Sequence, residues 1–458
     1  MTQSPAKKSF FNRNVDLMNG PIFKSLFVFM LPILVSCLFQ QLYNTVDTMI
    51  VGNVLGDTAL AAIGACGAIY ELLVGFGIGI GNGLAIVAAR AYGAGDEDQL
   101  KQTVAGSIVI GIIASAVITL AGAAGLHPLL ELLDTPAEIL EDAYGYIIII
   151  DLGVIVMFAY NLCAGLLRAI GNSFMPLVFL IFSSLVNIVL DLLFIRTFGM
   201  GVRGAAIATV IAQGISVVLC LIYIVTKAKI LLPEKRHFAL DRGLYADLLA
   251  QGFSMGFMSS IIYVGSIVLQ PGINSLGYET IAGHTAARKL FSFSMMPLSS
   301  MAQAVNTYVA QNRGADNWER VRKGIRYAYI FCFSVTACLI VIVTPLAPTM
   351  VHLISGSSDP TVLGNGARYL RVAIPFFFAL GLVNCSRLAL QALGEKILPL
   401  LSSFIELFGK IIFAMVFIPR YHYSAVIWCE PIIWCFMAAE LVISLYRNPY
   451  MRKGKTGN

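Results

Sequence analysis

Seven stretches of this chain run for about twenty residues or more without one charged side chain: 25–46, 102–130, 169–190, 204–226, 248–278, 290–312 and 327–358. A bilayer core about 30 Å thick is crossed by about 20 helical residues. In hydrocarbon the backbone must satisfy its own hydrogen bonds, which leaves helices or closed barrels. A barrel strand alternates apolar and polar residues, and these runs do not. Four further runs carry charge inside them: 58–89 with Glu71, 143–167 with Asp151, 397–419 with Glu406 and Lys410, and 421–439 with Glu430. A shorter one, 372–386, extends both ways through Arg368, Arg371 and Arg387. The expected fold is an all-α polytopic membrane protein with twelve transmembrane helices.

Composition narrows the class further. Charged residues make up 12% of the chain, against about 25% in soluble domains. That deficit excludes a disordered chain, an ordinary soluble enzyme and a nucleic-acid-binding protein. The nine cysteines all lie in apolar stretches with no CxxC or Cys/His ligand spacing, so neither a disulfide framework nor a metal site is expected. The first run, residues 25–46, reads as a span rather than a cleaved leader, because it is long and lacks a small-x-small cleavage site.

The net charge of +6 is a matter of topology. With both termini cytoplasmic, 23 of the 31 Lys and Arg fall on the inner side, including Lys7, Lys8, Arg13 and Lys24 before the first span and Lys453 and Lys455 at the end. That count places Arg168 in an inner loop, Arg90 near one and Arg387, at the inner end of span 10, near another, and leaves five basic residues outside. The outer connection between spans 3 and 4 holds Glu131, Asp134, Glu138, Glu141 and Asp142 without a cation.

The chain also aligns with itself. At an offset of 221, Asn53, Gly56, Gly93 and Ala94 meet Asn274, Gly277, Gly314 and Ala315; at 223, Tyr146, Asn161, Gly171 and Pro176 meet Tyr369, Asn384, Gly394 and Pro399. Six spans per half is an even number, so both halves enter the membrane the same way, related by an axis along its normal. Five segments are expected: an N-terminal cytoplasmic tail (1–21), a first lobe (22–227), a cytoplasmic linker (228–242), a second lobe (243–446) and a C-terminal cytoplasmic tail (447–458). Two parallel lobes are the architecture of an alternating-access carrier.

Ionisable groups inside spans are functional candidates by default. At about 1.5 Å per residue, Asp47 lies ~35 Å along span 1, in the outer part of the membrane. The same reckoning brings Tyr146, Asn187, Asp191 and Thr209 toward the outer half of the first lobe. Asn187 and Asp191 are four apart, on one helical face. Two carboxylates with amide and hydroxyl neighbours suit a proton or Na⁺ site that titrates as a unit. An interfacial Asp47 at the end of span 1 is the plainer alternative.

Glu406 and Lys410, also four apart, read as a structural ion pair, and the repeat sets Lys410 opposite Asn187. Glu71, Asp151 and Glu430 are secondary membrane acids, with Arg288 and Lys289 as available partners. Pro32 interrupts the hydrogen bonding of span 1 and is a candidate hinge. The Met and Phe residues between Phe253 and Met296 are either an adaptable binding surface or lipid-facing and core packing.

In order along the chain, Met18-Asn19-Gly20-Pro21, the run from Asp47 to Gly52, Gly93-Ala94-Gly95-Asp96, the run from Leu167 to Asn172, and Glu430-Pro431 with Trp434 resemble the multidrug and toxic compound extrusion (MATE) family of antiporters. The resemblance covers essentially the whole chain. It implies a V of two six-helix lobes, no enzymatic activity and no cofactor. It also implies export of organic, often cationic, compounds in exchange for H⁺ or Na⁺. Pro32, Asp47, Tyr146, Asn187, Asp191 and Thr209 look like the first-lobe proton site of the DinF-type branch. The acids that the NorM-type branch places in helices 7 and 10 have no counterpart here, which argues against a second-lobe Na⁺ site.

The expected partners are small organic substrates, the coupling cation and the bilayer. The expected state is a multi-pass monomer in a prokaryotic cell (inner) membrane. The alternatives are a lipid-linked precursor flippase of the same superfamily and a non-transporting receptor or channel. A flippase for polyanionic head groups would line its cavity with Arg or Lys, and the interior cations legible in the sequence are only Arg288, Lys289 and Lys410.

Overall fold

The computed structural model describes residues 14–133, 135–239 and 241–452. Lys7, Lys8, Arg13, Asp134, Lys453 and Lys455, with most of both expected tails, lie outside the described residues. Twelve helical rods follow one another. The first six are α1 (Ile22–Leu55), α2 (Asp57–Ala94), α3 (Glu97–Leu132), α4 (Ala137–Leu152 continued by Val154–Ala169), α5 (Phe174–Thr197) and α6 (Gly201–Lys227). After a linker with two short 3₁₀ turns come α7 (Arg242–Asn274), α8 (Tyr278–Gly314), α9 (Trp318–Ser355), α10 (Pro360–Ala392), α11 (Ile397–Tyr421) and α12 (Tyr423–Arg447).

Ten rods are long and apolar enough to cross a bilayer alone, and α4 makes an eleventh as a pair bent by 46° at Gly153. The exception, α8, carries His284, Arg288, Lys289 and several amides. It packs against α1, α2, α9 and α10, so protein rather than lipid surrounds most of its length.

The repeat is legible in the irregularities of the helices. The break of α4 at Gly153 recurs in α10 as a 3₁₀ turn at Ile374–Phe376. Shortly past Asp191, α5 widens into a π-helical turn at Leu192–Thr197, and α11 does the same at Phe413–Phe417. Asp96 caps α3 by accepting from Gln99 N, and Asn317 caps α9 by accepting from Arg320 N.

The lobes meet most closely where α2 crosses α7 and α8, near the ends bearing most of the basic residues. A Cβ on Gly93 would stand 2.0 Å from the Gln311 carbonyl oxygen, and one on Gly314 would stand 2.0 Å from that of Arg90. Each repeat-related glycine thus receives the residue three before the other, the reciprocal contact that a two-fold axis produces. Only glycine permits that approach.

At this basic face, Arg90 of α2 reaches Asp247 of α7 at 2.8 Å, and Lys396 reaches the same carboxylate at 2.6 Å. The segment before α1 ties both lobes together. Val15 N donates to Gly171 O at 2.9 Å, while Arg320 donates to Leu17 O at 3.2 Å and Gly20 O at 2.7 Å. Toward the opposite face the lobes part. There a separate apolar cluster, running from Val51 and Ala62 through Tyr146 to Val202, belongs to the first lobe alone.

The structure corrects one placement. Arg168 is not a loop residue: it sits in the last turn of α4, and it faces a cavity between the lobes together with Arg387, which lies within α10. Its position at the end of an apolar run made it look like a topology signal.

Candidate functional site

Four helices of the first lobe bring a set of polar side chains together on the side away from the basic face. Helix α1 continues two turns beyond Asp47, to Leu55, so Asp47 lies within a helix and not at its end. The carboxylates of Asp47 and Asp191 stand within hydrogen-bond reach of one another. Asp191 is fully buried, and one oxygen of each carboxylate has no partner among the described residues.

Asn187, one turn before Asp191 on α5, orients the pair. With its amide nitrogen toward Asp191, it donates to Oδ2 at 2.8 Å, and its oxygen accepts from Thr209 N at 3.2 Å. Thr209 Oγ1 lies 3.5 Å from Tyr43 OH. Tyr146 of α4 is buried beside them, and Tyr70 of α2 completes a wall of phenols. Tyr43 and Tyr70 were not singled out in the sequence. Tyr43 stands four residues before Asp47, on the same face of α1, and that spacing was the available signal.

Two like charges this close repel strongly unless a proton or a cation lies between them. Pro32 lies about four turns nearer the basic face than Asp47, within a continuous α1, and Ser36 Oγ donates to its carbonyl at 2.8 Å.

The second lobe holds a chain of charges instead. Arg288 Nη1 is 2.6 Å from Glu430 Oε2 and donates to Tyr369 OH at 2.9 Å. Lys410 Nζ is 2.9 Å from Glu406 Oε1 and 3.9 Å from Glu430 Oε1. Arg387 Nη2 is 3.8 Å from Glu406 Oε2. Glu406 and Lys410 are therefore the middle of a five-membered alternating chain rather than an isolated pair. Glu430, which had no obvious partner in the sequence, has Arg288.

The remaining expected residues are scattered. Glu71 is exposed beside Tyr263, and Lys289 is exposed. Asp151, five residues after Tyr146, is fully buried at the break of α4 and packed against Gly122, with both carboxylate oxygens unpartnered among the described residues. Met255 and Met258 line the inter-lobe cavity, whereas Phe291 stacks on Trp434 inside the second lobe. Among the described residues no group of three His, Cys, Asp or Glu could hold a metal ion.

The family model that matches this chain is MatE. It matches twice, at residues 32–193 and 255–416, the second beginning 223 residues after the first (255 against 32). The chain is similar to the "Probable multidrug resistance protein YoeA" of Bacillus subtilis (strain 168), 26% identical over 395 residues and 85% of each chain. It is 24% identical over 384 residues to the "FAD transporter" of Shewanella oneidensis, covering 82% of this chain and 83% of that one. A solved structure titled as the outward-facing conformation of a multidrug resistance MATE family transporter superposes with a TM-score of 0.86 at 22% identity, over 94% of this chain and 98% of that one. The duplicated six-helix lobes and the twofold match of the family model lead to one conclusion: this chain belongs to the MatE (MATE) family of multidrug transporters, which are membrane carriers and not enzymes.

Proposed function

We propose that this protein is a secondary active exporter of small organic compounds, driven by protons that enter through the first lobe. One observation carries the reading: Asp47 and Asp191, from α1 and α5, face each other in a dry pocket with an unpartnered oxygen on each. With the Asn187 amide assigned so that its oxygen accepts from Thr209 N, its NH₂ and not its oxygen meets Asp191, which supports H⁺ over Na⁺ in this reading. A hard cation needs more oxygen ligands than remain.

In this reading the basic face is cytoplasmic, in the cell membrane of a prokaryote, and the protein works as a monomer with lobes 22–227 and 243–446. The described arrangement is then closed inside and open outside. Protonation of the carboxylate pair removes its charge, α1 bends about Pro32, and the first-lobe pocket closes on the space that the substrate held. Lipophilic organic cations are the proposed substrates, with Asp47, Asp191 and the exposed Glu71 supplying negative potential on the open side of the cleft. Cells lacking their own pumps and expressing the protein should expel ethidium. Asp47→Asn and Asp191→Asn should reach the membrane in normal amounts and abolish that efflux. Full efflux by both variants would sink the assignment.

A further inference from the structure

A cavity of about 420 Å³ lies between the lobes, just above the Gly93–Gly314 crossing. Among the described residues, the charged ones that line it are Arg168, from the first lobe, and Arg387, from the second, and no carboxylate does. The other polar lining is uncharged and includes the amides of Asn82, Gln303, Asn306 and Asn384. Met255, Met258 and the ring of Tyr263, whose hydroxyl reaches Glu71, form the less polar wall.

Arg168 has no ion-pair partner among the described residues, and Arg387 has only a long one, to Glu406. Among the described residues, the one hydrogen bond of Arg168 goes to Asn82 Oδ1 at 3.4 Å, and it has no ion-pair partner. Arg387, with a side chain only 7% exposed, donates through Nε to Ser402 Oγ at 3.0 Å, while its Nη2 makes no hydrogen bond and lies 3.8 Å from Glu406. Glu406 in turn is closer to Lys410, at 2.9 Å. The alternating chain of the second lobe therefore ends at the cavity in an unsatisfied cation. Glu440, the other carboxylate in electrostatic range of Arg387, accepts from Ser444 Oγ and does not line the cavity. A buried guanidinium with an unmade hydrogen bond is costly. Arg387 is such a group, and Arg168, half-buried and without an ion-pair partner among the described residues, faces the same acid-free space from the other lobe, so the two form a fork for an oxyanion.

We propose that this cavity is an anion subsite, in which Arg168 and Arg387 hold the carboxylate or phosphate of an amphiphilic organic acid whose apolar body lies on Met255, Met258 and Tyr263. The proposal rests on the cleft being the transport path, but binding can be read without any proton gradient, so a failure of coupling at Asp47 and Asp191 leaves the test untouched. Because the two arginines belong to different lobes, a bound acid also bridges them, and its release accompanies their separation.

The full chain, purified in a neutral detergent, is titrated with dansyl-leucine and with its methyl ester, which keeps the body and removes the charge. The acid should bind at least about tenfold more tightly than the ester. Arg168→Gln and Arg387→Gln should each weaken the acid by about tenfold or more, with the ester shifted less than about twofold. Lysine at either position should fall between, since it keeps charge but loses the fork. Competition with phosphatidylglycerol identifies the source of the anion. Displacement assigns the site to a lipid headgroup, and persistence assigns it to a soluble acid; both sustain the anion subsite. Equal affinity of wild type for acid and ester overturns the proposal, whether or not the variants fold. So does an unchanged acid preference in either monodisperse glutamine variant.

Discussion

At the scale of single residues, burial decides what a charge can do. Lys410 is buried and contacts two carboxylates, and Glu406 contacts two cations. Removing one member of a buried pair typically costs about 3–5 kcal/mol, because the other is left unpaired. Glu406→Gln or Lys410→Met alone should therefore lower the monodisperse yield in size-exclusion chromatography. The double replacement should recover only part of it, since Arg387 then loses the one carboxylate within 4 Å of its guanidinium. Recovery to the wild-type yield would show that Glu406 and Lys410 form an isolated pair after all. The first-lobe site was largely legible in the sequence. Asn187 and Asp191 share a helical face by spacing alone, and depth along each span brought Asp47, Tyr146 and Thr209 to the same level. The Arg288–Glu430 contact was not legible, because it joins residues 142 apart on helices whose relative rotation no local pattern encodes. Arg168 was misplaced for a related reason. A cation at the end of an apolar run looks alike whether it faces water or a cleft between lobes.

At the scale of elements, the contact of α2 with α8 is reciprocal, and that symmetry has a measurable consequence. Gly93→Ala and Gly314→Ala each drive a methyl group into a backbone carbonyl, an overpacking that typically costs about 1–3 kcal/mol. The two should destabilise the purified protein by similar amounts, and a cysteine pair placed across the basic face should cross-link less efficiently in both. A large loss for one and none for the other would mean that the halves do not share the axis. The segment before α1 locks the same face. Burial raises the Asp16 carboxyl, but the backbone N–H groups of Asn19 and Met18 and the Arg320 charge outweigh it and hold the group below its ordinary value. A carboxyl depressed in the folded state contributes stability above its unfolded pKa, about 3.9, and loses it as pH falls through the folded value. Protease cleavage around residues 14–20 should therefore rise as pH drops below about 4, and Asp16→Asn should show that susceptibility already at pH 7. Cleavage independent of pH in the wild type would contradict the role given to Asp16. The twelve spans were legible because hydrophobic run length is a local property. The bend at Gly153 and the two π turns were not, since each depends on packing against neighbouring helices.

At the scale of the whole molecule, two lobes built on one plan have diverged in chemistry. The first keeps a pair of facing carboxylates, and the second an alternating ion chain that ends in the cavity between them. Such a division suits a carrier in which one lobe senses the driving ion and the other stays charge-compensated as the lobes move. The central claim, that protons act at Asp47 and Asp191, is tested most directly in proteoliposomes carrying the purified protein and a trapped pH indicator. An imposed pH gradient in Na⁺-free buffer should drive ethidium transport with counter-movement of protons. Asp47→Asn or Asp191→Asn should abolish both while leaving the protein folded. Ethidium transport that follows a Na⁺ gradient and ignores pH, or proton movement that survives in both variants, would contradict it.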